Sequence, residues 1–287
     1  MFLWKKIKNN ENIYYAITNV KVQIGFSLFF LIVLLALIGP MITRYSYTEF
    51  AGPGYHPPSG DYWFGTTLQG RDVFTQTVFG LRSTILVGFI GGLIASFIGV
   101  IIGLIAGYKG GLLDEALMML TNVVLTFPTL AVLIIIAAYL PYRGIVNMAV
   151  LVGLTVWPWT ARAVRSQAMS LKSSRFVDLS RISANNILRI LFEDIAANMF
   201  SYIFMVFILQ FMGTILATVG LEFLGLGPTR GISLGLIMQN AVNWNALELG
   251  MWWWGIIPGL ILTIMIVSLY FINTGLDEAF NPKLREF

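Results

Sequence analysis

Long apolar runs, separated by shorter polar segments, set the pattern of this chain. A helix that crosses the hydrocarbon core of a bilayer needs about 20 apolar residues, and six runs approach or exceed that length. They span residues 22–42, 84–107, 116–140, 144–161, 199–221 and 254–272. Pro128 inside the third run predicts a kinked helix there. The pattern therefore predicts an all-α membrane protein with six transmembrane helices.

A polar insert at residues 173–198 separates the fourth and fifth runs. Its two opening serines, Ser173 and Ser174, are residue types that cap helix N-termini, so a first helix is predicted over about 175–183. The residue pattern makes this helix amphipathic. One side carries Phe176, Leu179, Ile182 and Ser183, and the other side carries the charged residues Arg175, Asp178 and Arg181.

A sharp turn is predicted in the middle of the insert, at Ala184, Asn185 and Asn186, because asparagine tolerates left-handed backbone better than most residues. A second helix is predicted from about residue 187. Periodicity leaves three uses of the first helix open. The first use is as an interfacial helix on the lipid surface, the second is as a solvated connector, and the third is insertion into a groove on a soluble partner.

The positions of lysine and arginine predict the orientation, because cytoplasmic segments carry an excess of these residues. With the N-terminus in the cytoplasm, 13 of the 18 lysines and arginines fall in cytoplasmic segments. A multi-pass protein of the cell membrane is therefore predicted, with both termini and the insert in the cytoplasm. Residues 43–83 and 222–253 then form long extracytoplasmic loops.

Composition agrees with a membrane protein and narrows the chemistry. The chain of 287 residues is 57% hydrophobic and 11% charged, against about 25% charged in soluble domains. It has no cysteine and a single histidine, His56, so neither thiolate nor histidine metal sites are expected. No basic stripe indicates nucleic-acid binding. No paired catalytic groups stand out, so an enzyme is the weakest class, and no cofactor is expected.

Two absences in the sequence bear on the energy source. The motif G-x-x-x-x-G-K-[ST] is missing, so any ATP that drives this protein binds to another subunit. No Asp, Glu, Lys or Arg lies in the middle of an apolar run. Ion-coupled carriers use such residues, so their absence argues against a carrier and leaves a pore open. Many glycines in the second run predict close helix packing.

Ordered motifs run along the chain, among them F-G-T-T-L-Q-G-R-D-V-F at residues 64–74 and L-E-F-L-G-L-G at residues 221–227. The series resembles the C-type permease subunits of dipeptide and oligopeptide ABC importers, in the family of binding-protein-dependent inner-membrane components. Residues 64–74 are similar to F-G-T-D-x-x-G-R-D-V, with Thr67 in place of Asp. Their motif positions are Gly65, Thr66, Gly70, Arg71 and Asp72. Residues 221–227 are similar to L-S-F-L-G-L-G, through Phe223, Leu224, Gly225, Leu226 and Gly227. Between these two motifs lie further matches at 106–111 and 157–162, and after them lie matches at 252–259 and 275–285.

The insert resembles the EAA loop of importer-type ABC permeases, within residues 162–198. The resemblance implies that this loop is a coupling helix that docks on a cytoplasmic ATPase. The implied coupling residues are Phe176, Asp178, Ser180, Arg181, Ala184, Asn185 and Asn186. Asp178 stands where the family has Glu, Ala184 where it has Gly, and Ala197 where it has Pro.

The resemblance also implies an architecture and a function. One N-terminal helix and its loop would occupy residues 1–83, and a five-helix permease core would occupy 84–287. The implied function is that of a permease subunit, not an enzyme, in an ATP-driven importer of peptides or of oligosaccharides carried by the same family. Its implied partners are membrane lipid, a second permease subunit, two ATP-binding subunits and an extracytoplasmic binding protein. The alternative is a channel or ion-coupled carrier that works without an ATPase.

Three motifs outside the insert have interpretations of their own. Residues 70–72 are expected to fix their loop onto the helix bundle; this interpretation is favoured over a role in receiving a binding protein. The tryptophans at 252–254 are expected to form an interfacial belt, in preference to contacting substrate. Residues 224–227 are expected to pack an extended or re-entrant segment near the pore mouth.

Overall fold

The computed structural model describes residues 11–183 and 186–280, and this part of the chain consists of helices and connecting loops. The helices are α1 (Glu11–Thr18), α2 (Val20–Ile42), α3 (Val73–Lys109), α4 (Gly111–Thr126), α5 (Thr129–Tyr139), α6 (Ile145–Lys172), α7 (Arg175–Ile182), α8 (Ile187–Arg189), α9 (Phe200–Phe223), α10 (Leu234–Asn243) and α11 (Trp252–Phe280). A π-helical stretch, Ile190–Ala196, continues α8. The predicted all-α class is confirmed.

Among the described residues, four helices are long and apolar enough to cross a membrane, namely α2, α3, α9 and α11. The pair α4 and α5 adds a fifth if it forms one broken span. Helix α6 contains most of the fourth predicted run and has 28 residues, about 42 Å at 1.5 Å per residue. The multi-pass membrane fold is therefore confirmed, while the number of six spans stays a prediction.

The third predicted run is two helices instead of one kinked helix. Helices α4 and α5 meet at Phe127 and Pro128 with a bend of 80°. Pro128 occupies the N-cap position of α5, and a proline disfavours helical backbone at the residue before it. Phe127 accordingly has an extended ψ of 136°. The prediction of a kink was wrong in degree, because the proline ends α4 and starts a new helix.

Helix α3 is central to the bundle and packs along α6. At Gly99, Gly103 and Gly107, an added Cβ atom would lie 2.7–2.9 Å from a main-chain oxygen of α6. Only glycine permits two helix backbones to approach so closely. The close packing predicted from the glycines of the second run is confirmed, since these residues line the contact itself.

The start of α2 and the end of α11 lie at the same end of the bundle. Asn19 is the N-cap residue of α2, and its Nδ2 donates to Glu278 Oε2 at 3.0 Å. Lys21 forms an ion pair with the other oxygen of Glu278. An added Cβ atom at Gly275 would lie 2.8 Å from Asn19 Oδ1. These contacts tie the first long helix to the last one.

Candidate partner-docking site

The loop motif at residues 65–72 closes the N-terminus of α3. Asp72 is the N-cap residue of this helix, and its Oδ2 accepts from Thr75 N at 2.8 Å and from Thr75 Oγ1 at 2.6 Å. Gly65 and Gly70 have φ values of +70° and +73°, a backbone region that favours glycine. The loop therefore owes its shape to the motif residues, which supports the interpretation that they fix the loop onto the bundle.

The tryptophans at the start of α11 lie in different environments. Trp252 is 50% exposed, whereas Trp253 and Trp254 are only 5% and 2% exposed. Trp253 Nε1 donates to the main-chain oxygen of Thr66 at 3.1 Å, which holds the loop motif against α11. The interpretation as an interfacial belt is therefore wrong for Trp253 and Trp254, because both side chains fill the core.

Replacement of the cap residue gives a test of the loop motif. Asp72→Ala is expected to lower the free energy of unfolding by about 1 kcal/mol, because the first turn of α3 loses its side-chain acceptor. Thermal unfolding of the detergent-purified protein measures the change. Asp61→Ala, at an exposed position of the same loop, is the matched control, and Asp72→Asn should recover most of the loss. Equal losses for both alanine variants would contradict the capping role.

The segment at residues 223–227 turns the chain at the end of α9. Phe223 and Leu224 are exposed, and Gly225 has a φ of +77°. Leu226 N donates to Leu221 O at 2.9 Å, which closes the helix end. The positive φ explains why glycine stands at position 225. A role of this segment at a pore mouth stays a prediction.

A buried carboxylate beside this segment is a feature that sequence reasoning missed. Glu222 is 1% exposed, and Ser233 Oγ donates to its Oε1 at 2.5 Å. Ser233 is the N-cap residue of α10, so this bond links α10 to the end of α9. Glu222 Oε2 has no hydrogen-bond partner among the described residues. One sequence signal could have pointed to this buried group, namely the acidic residue at position 222, where the family motif has serine.

The insert folds into two short helical segments, as predicted. Helix α7 begins after Ser174, which holds the N-cap position but makes no side-chain capping bond. The second segment begins at Ile187, where Asn186 Oδ1 accepts from Leu188 N at 3.4 Å. Ala184 and Asn185 lie outside the described residues, so the sharp turn assigned to them stays a prediction.

One side of the insert is buried against the ends of α3 and α6. Val177 is fully buried and Ser180 is 7% exposed. Val177 belongs to one apolar cluster with Leu104 of α3, with Val164 and Ala168 of α6, and with residues of the second segment of the insert such as Ile195. Phe176 is half-buried and packs against the same cluster. The cluster joins the insert to the ends of two long helices.

The opposite side of the insert is apolar and exposed. Leu179 and Ile182 are 65% and 82% exposed, and Leu188 of the second segment is 61% exposed. Phe192 is also half-exposed, but it lines a pocket with residues of α3 and α9 and does not belong to this side. Periodicity placed Phe176, Leu179 and Ile182 on one common face. The structure divides that face, because Phe176 packs against the apolar cluster whereas Leu179 and Ile182 are exposed. We call Leu179, Ile182 and Leu188 the apolar outer residues.

Arg181 connects α7 to the bundle. Its Nη1 donates to Asp178 Oδ1 at 2.9 Å, and its Nη2 donates to the main-chain oxygen of Lys172 at 3.4 Å. Its Cζ lies 5.3 Å from the ring centroid of Tyr108, at the end of α3. Tyr108 is the main cause that raises the pKa of Arg181, with Asp178 adding to it. Arg181 therefore stays charged and spans three elements.

Comparisons with known proteins decide what kind of protein carries this insert. Residues 99–286 match the family of binding-protein-dependent transport system inner membrane components. The chain belongs to this family. The dipeptide transport system permease protein DppC of Bacillus subtilis is 32% identical to this permease over 283 residues, which is 98% of this chain and 85% of that protein.

Two further relatives of the permease agree with this assignment. The oligopeptide transport system permease protein OppC of Bacillus subtilis is 31% identical over 272 residues, covering 94% of this chain and 88% of that protein. A putative peptide permease protein of Brucella suis is 32% identical over 227 residues, covering 79% and 74%. The resemblance recognised from the ordered motifs is confirmed. The chain is a permease subunit of an ABC importer, and its relatives are transport permeases rather than enzymes.

Proposed function

We propose that this permease carries short peptides across the cell membrane as one of two permease subunits of an ABC importer. Two ATP-binding subunits would drive it, and an extracytoplasmic binding protein would deliver the peptide. The names of the relatives support the peptide cargo, since dipeptide and oligopeptide permeases match most of this chain. The missing phosphate-binding loop supports an ATPase on separate subunits.

The observation that carries the proposal is the exposure of Leu179 and Ile182 on a helix that is fixed from behind. Val177 and Ser180 bury the inner side of α7, and Arg181 ties it to α3 and α6. A short helix that presents exposed apolar side chains is suited to insertion into a groove on another protein. This arrangement favours partner docking over the solvated connector, because a connector needs no exposed apolar anchors.

Transmission of movement would follow from the rigid attachment of the insert. A docked helix can report the state of its partner only if it moves with the helices behind it. The apolar cluster around Val177 joins the insert to α3 and α6, the two helices in closest mutual contact. ATP binding would thus bias the permease between two arrangements, because the partner binds one of them better.

The proposed orientation places both termini and the insert in the cytoplasm. The lysine and arginine distribution supports it. The fold adds a second argument, since Asn19 and Glu278 meet at one end of the bundle. Helix α2 leaves that end and α3 returns to it, so the insert, packed on the end of α3, lies at the same end as both described termini.

Proteoliposomes that contain the permease with its co-expressed partners test the proposed function. ATP is enclosed, and a radiolabelled tripeptide with purified binding protein is added outside. Uptake is expected only with enclosed ATP and with all subunits present. Uptake by the permease alone, or without ATP, would overturn the importer assignment in favour of a channel or carrier.

Arg181→Ala is expected to lower ATP-driven uptake about tenfold, because the link between α7 and the ends of α3 and α6 is worth roughly 1.5 kcal/mol or more. The ATPase should still co-purify, since the apolar outer residues remain. Lys109→Ala, which removes an exposed cation from the end of α3, is the matched control. Uptake that falls equally in both variants would argue against a specific role of Arg181.

A further inference from the structure

A cavity opens at the break between α4 and α5. Its volume is about 520 Å³, within the range of small-molecule sites in proteins, roughly 300–1,000 Å³. We call it the break cavity. Four elements line it: the end of α4, the start of α5, α6 near Pro158, and the middle of α9. Its walls are mostly apolar, with Phe127, Val132 and Trp159 among them.

Gln210 presents a buried polar group to this cavity. It is the eleventh of the 24 residues of α9, so it lies near the middle of a membrane-spanning helix. It is only 6% exposed. Its Nε2 donates to Thr160 Oγ1 at 2.7 Å and to Val156 O at 3.3 Å. Because the main-chain oxygen of Val156 can only accept, the amide nitrogen faces α6.

The carbonyl oxygen of Gln210 is therefore left as an acceptor at the cavity, and it has no hydrogen-bond partner among the described residues. This oxygen is open to the cavity, and an apolar occupant that covered it without donating a hydrogen bond would cost free energy. An occupant that donates a hydrogen bond would remove this cost.

The start of α5 supplies donors at the opposite side of the break. The first N–H groups of a helix have no partner within the helix. Pro128 at the N-cap of α5 provides no side-chain acceptor for them, and Thr129 lines the cavity. Irregular backbone at membrane depth is tolerated where it borders protein or a water-filled cavity. The break thus places free donors beside the same space as the Gln210 oxygen.

We propose that the break cavity forms part of the translocation path and binds the main chain of the transported peptide. This inference rests on the proposed function, because the occupant is its cargo. Peptide carbonyl oxygens or the terminal carboxylate would accept from the first turn of α5, and a peptide N–H would donate to Gln210. The apolar walls would receive apolar side chains of the peptide without reading a particular sequence.

A peptide fits these groups better than a lipid acyl chain does. An acyl chain offers neither donor nor acceptor, so it would leave the Gln210 oxygen and the N–H groups of α5 unpaired. A side chain of the second permease subunit is the other possible occupant. The three occupants differ in whether water and polar reagents reach the cavity during transport.

Single cysteines in the assembled transporter test this access, and the natural chain contains no cysteine. Gly213 lines the cavity, and an added Cβ atom there meets nothing within 4 Å. Gly213→Cys is expected to react with a charged methanethiosulfonate reagent roughly ten times faster than Leu216→Cys, because the thiolate reacts and lipid suppresses its formation. Leu216 lies on the same helix outside the cavity and is 53% exposed. A tripeptide with binding protein and ATP should slow the reaction at Gly213→Cys.

Equal, slow reaction at both positions would overturn the proposal and indicate lipid or the second subunit as the occupant. Fast reaction that the peptide leaves unchanged would also overturn it. Gly213→Trp, compared with Gly213→Ala, is an independent measurement by uptake. The tryptophan should fill the cavity and lower uptake roughly tenfold while the ATPase co-purifies as before. Undiminished uptake in that variant would exclude the cavity from the path.

Gln210→Leu tests the hydrogen bond itself. The unmodified permease is expected to transport a tripeptide about tenfold better than its ester analogue, which lacks one N–H, and the variant should lose this preference. A merely structural role of Gln210 would lower both uptake rates and keep their ratio. ATP-dependent uptake by the unmodified protein is the common reference. If it is absent, the proposed function fails, whereas if it is present and the variants behave normally, only the cavity assignment fails.

Discussion

Ile182→Asp is expected to abolish ATP-driven uptake and the co-purification of the ATPase with the permease, and Leu179→Asp should do the same. These two side chains are the most exposed apolar groups of α7. Full burial of such a side chain contributes about 1.5–3 kcal/mol. An aspartate loses this contribution and adds the cost of burying a charge. The combined effect should exceed a hundredfold in affinity, since each 1.4 kcal/mol is about tenfold.

Pull-down of the solubilised complex and uptake in proteoliposomes measure this effect. Ser173→Asp is the matched control, because Ser173 is exposed and precedes α7. The introduced charge is the same, and it lies beyond the apolar outer residues. If α7 lay on the lipid surface or were only a connector, both aspartate variants would retain the ATPase. That result would reject docking through this face.

Gly103→Leu is expected to cost about 3 kcal/mol or more of stability, which for a membrane protein of marginal stability amounts to loss of the folded bundle. A Cβ atom at Gly103 would lie 2.7 Å from Ala161 O and 2.8 Å from Val164 Cβ. The main-chain oxygen cannot move without displacing α6. The helices would therefore separate, and the apolar cluster that supports the insert would separate with them.

Gly220→Leu is the matched control for this prediction. It places the same side chain on a glycine of α9, where an added Cβ atom meets only Leu130 Cδ2, at 3.6 Å. Expression level and denaturant-induced unfolding in detergent report the difference between the two variants. Comparable stability of the two proteins would show that the α3–α6 contact tolerates separation, contrary to the packing argument.

Much of the fold follows from local sequence pattern. Apolar runs predict helices because a membrane requires every backbone group to be paired within its own segment. Helices α2, α3, α9 and α11 accordingly cover four of the predicted runs. The insert was also predictable, since the two serines indicate the start of its first helix and the two asparagines indicate a turn before its second. The local sequence pattern could not tell how the proline at 128 would act, because a kinked helix and a broken helix have the same sequence signal.

The candidate site was only partly predictable. Periodicity identified α7 as amphipathic, yet it could not show that Val177 is the buried anchor and Ile182 the exposed one. Both residues are apolar, and their roles depend on where the ends of α3 and α6 lie. Trp253 is a similar case, because only the position of Thr66 makes it a core residue rather than an interfacial one.

By itself the sequence determined the class of the protein, the membrane as its solvent, the existence of the insert and, through its ordered motifs, the family. These depend on residue type and spacing along the chain. Only the tertiary structure decided which side of the insert is exposed, that Arg181 joins α7 to Tyr108, and that Gln210 faces a cavity at the broken span. Each of these depends on contacts between helices far apart in the sequence, which no local pattern of hydrophobic and polar residues specifies.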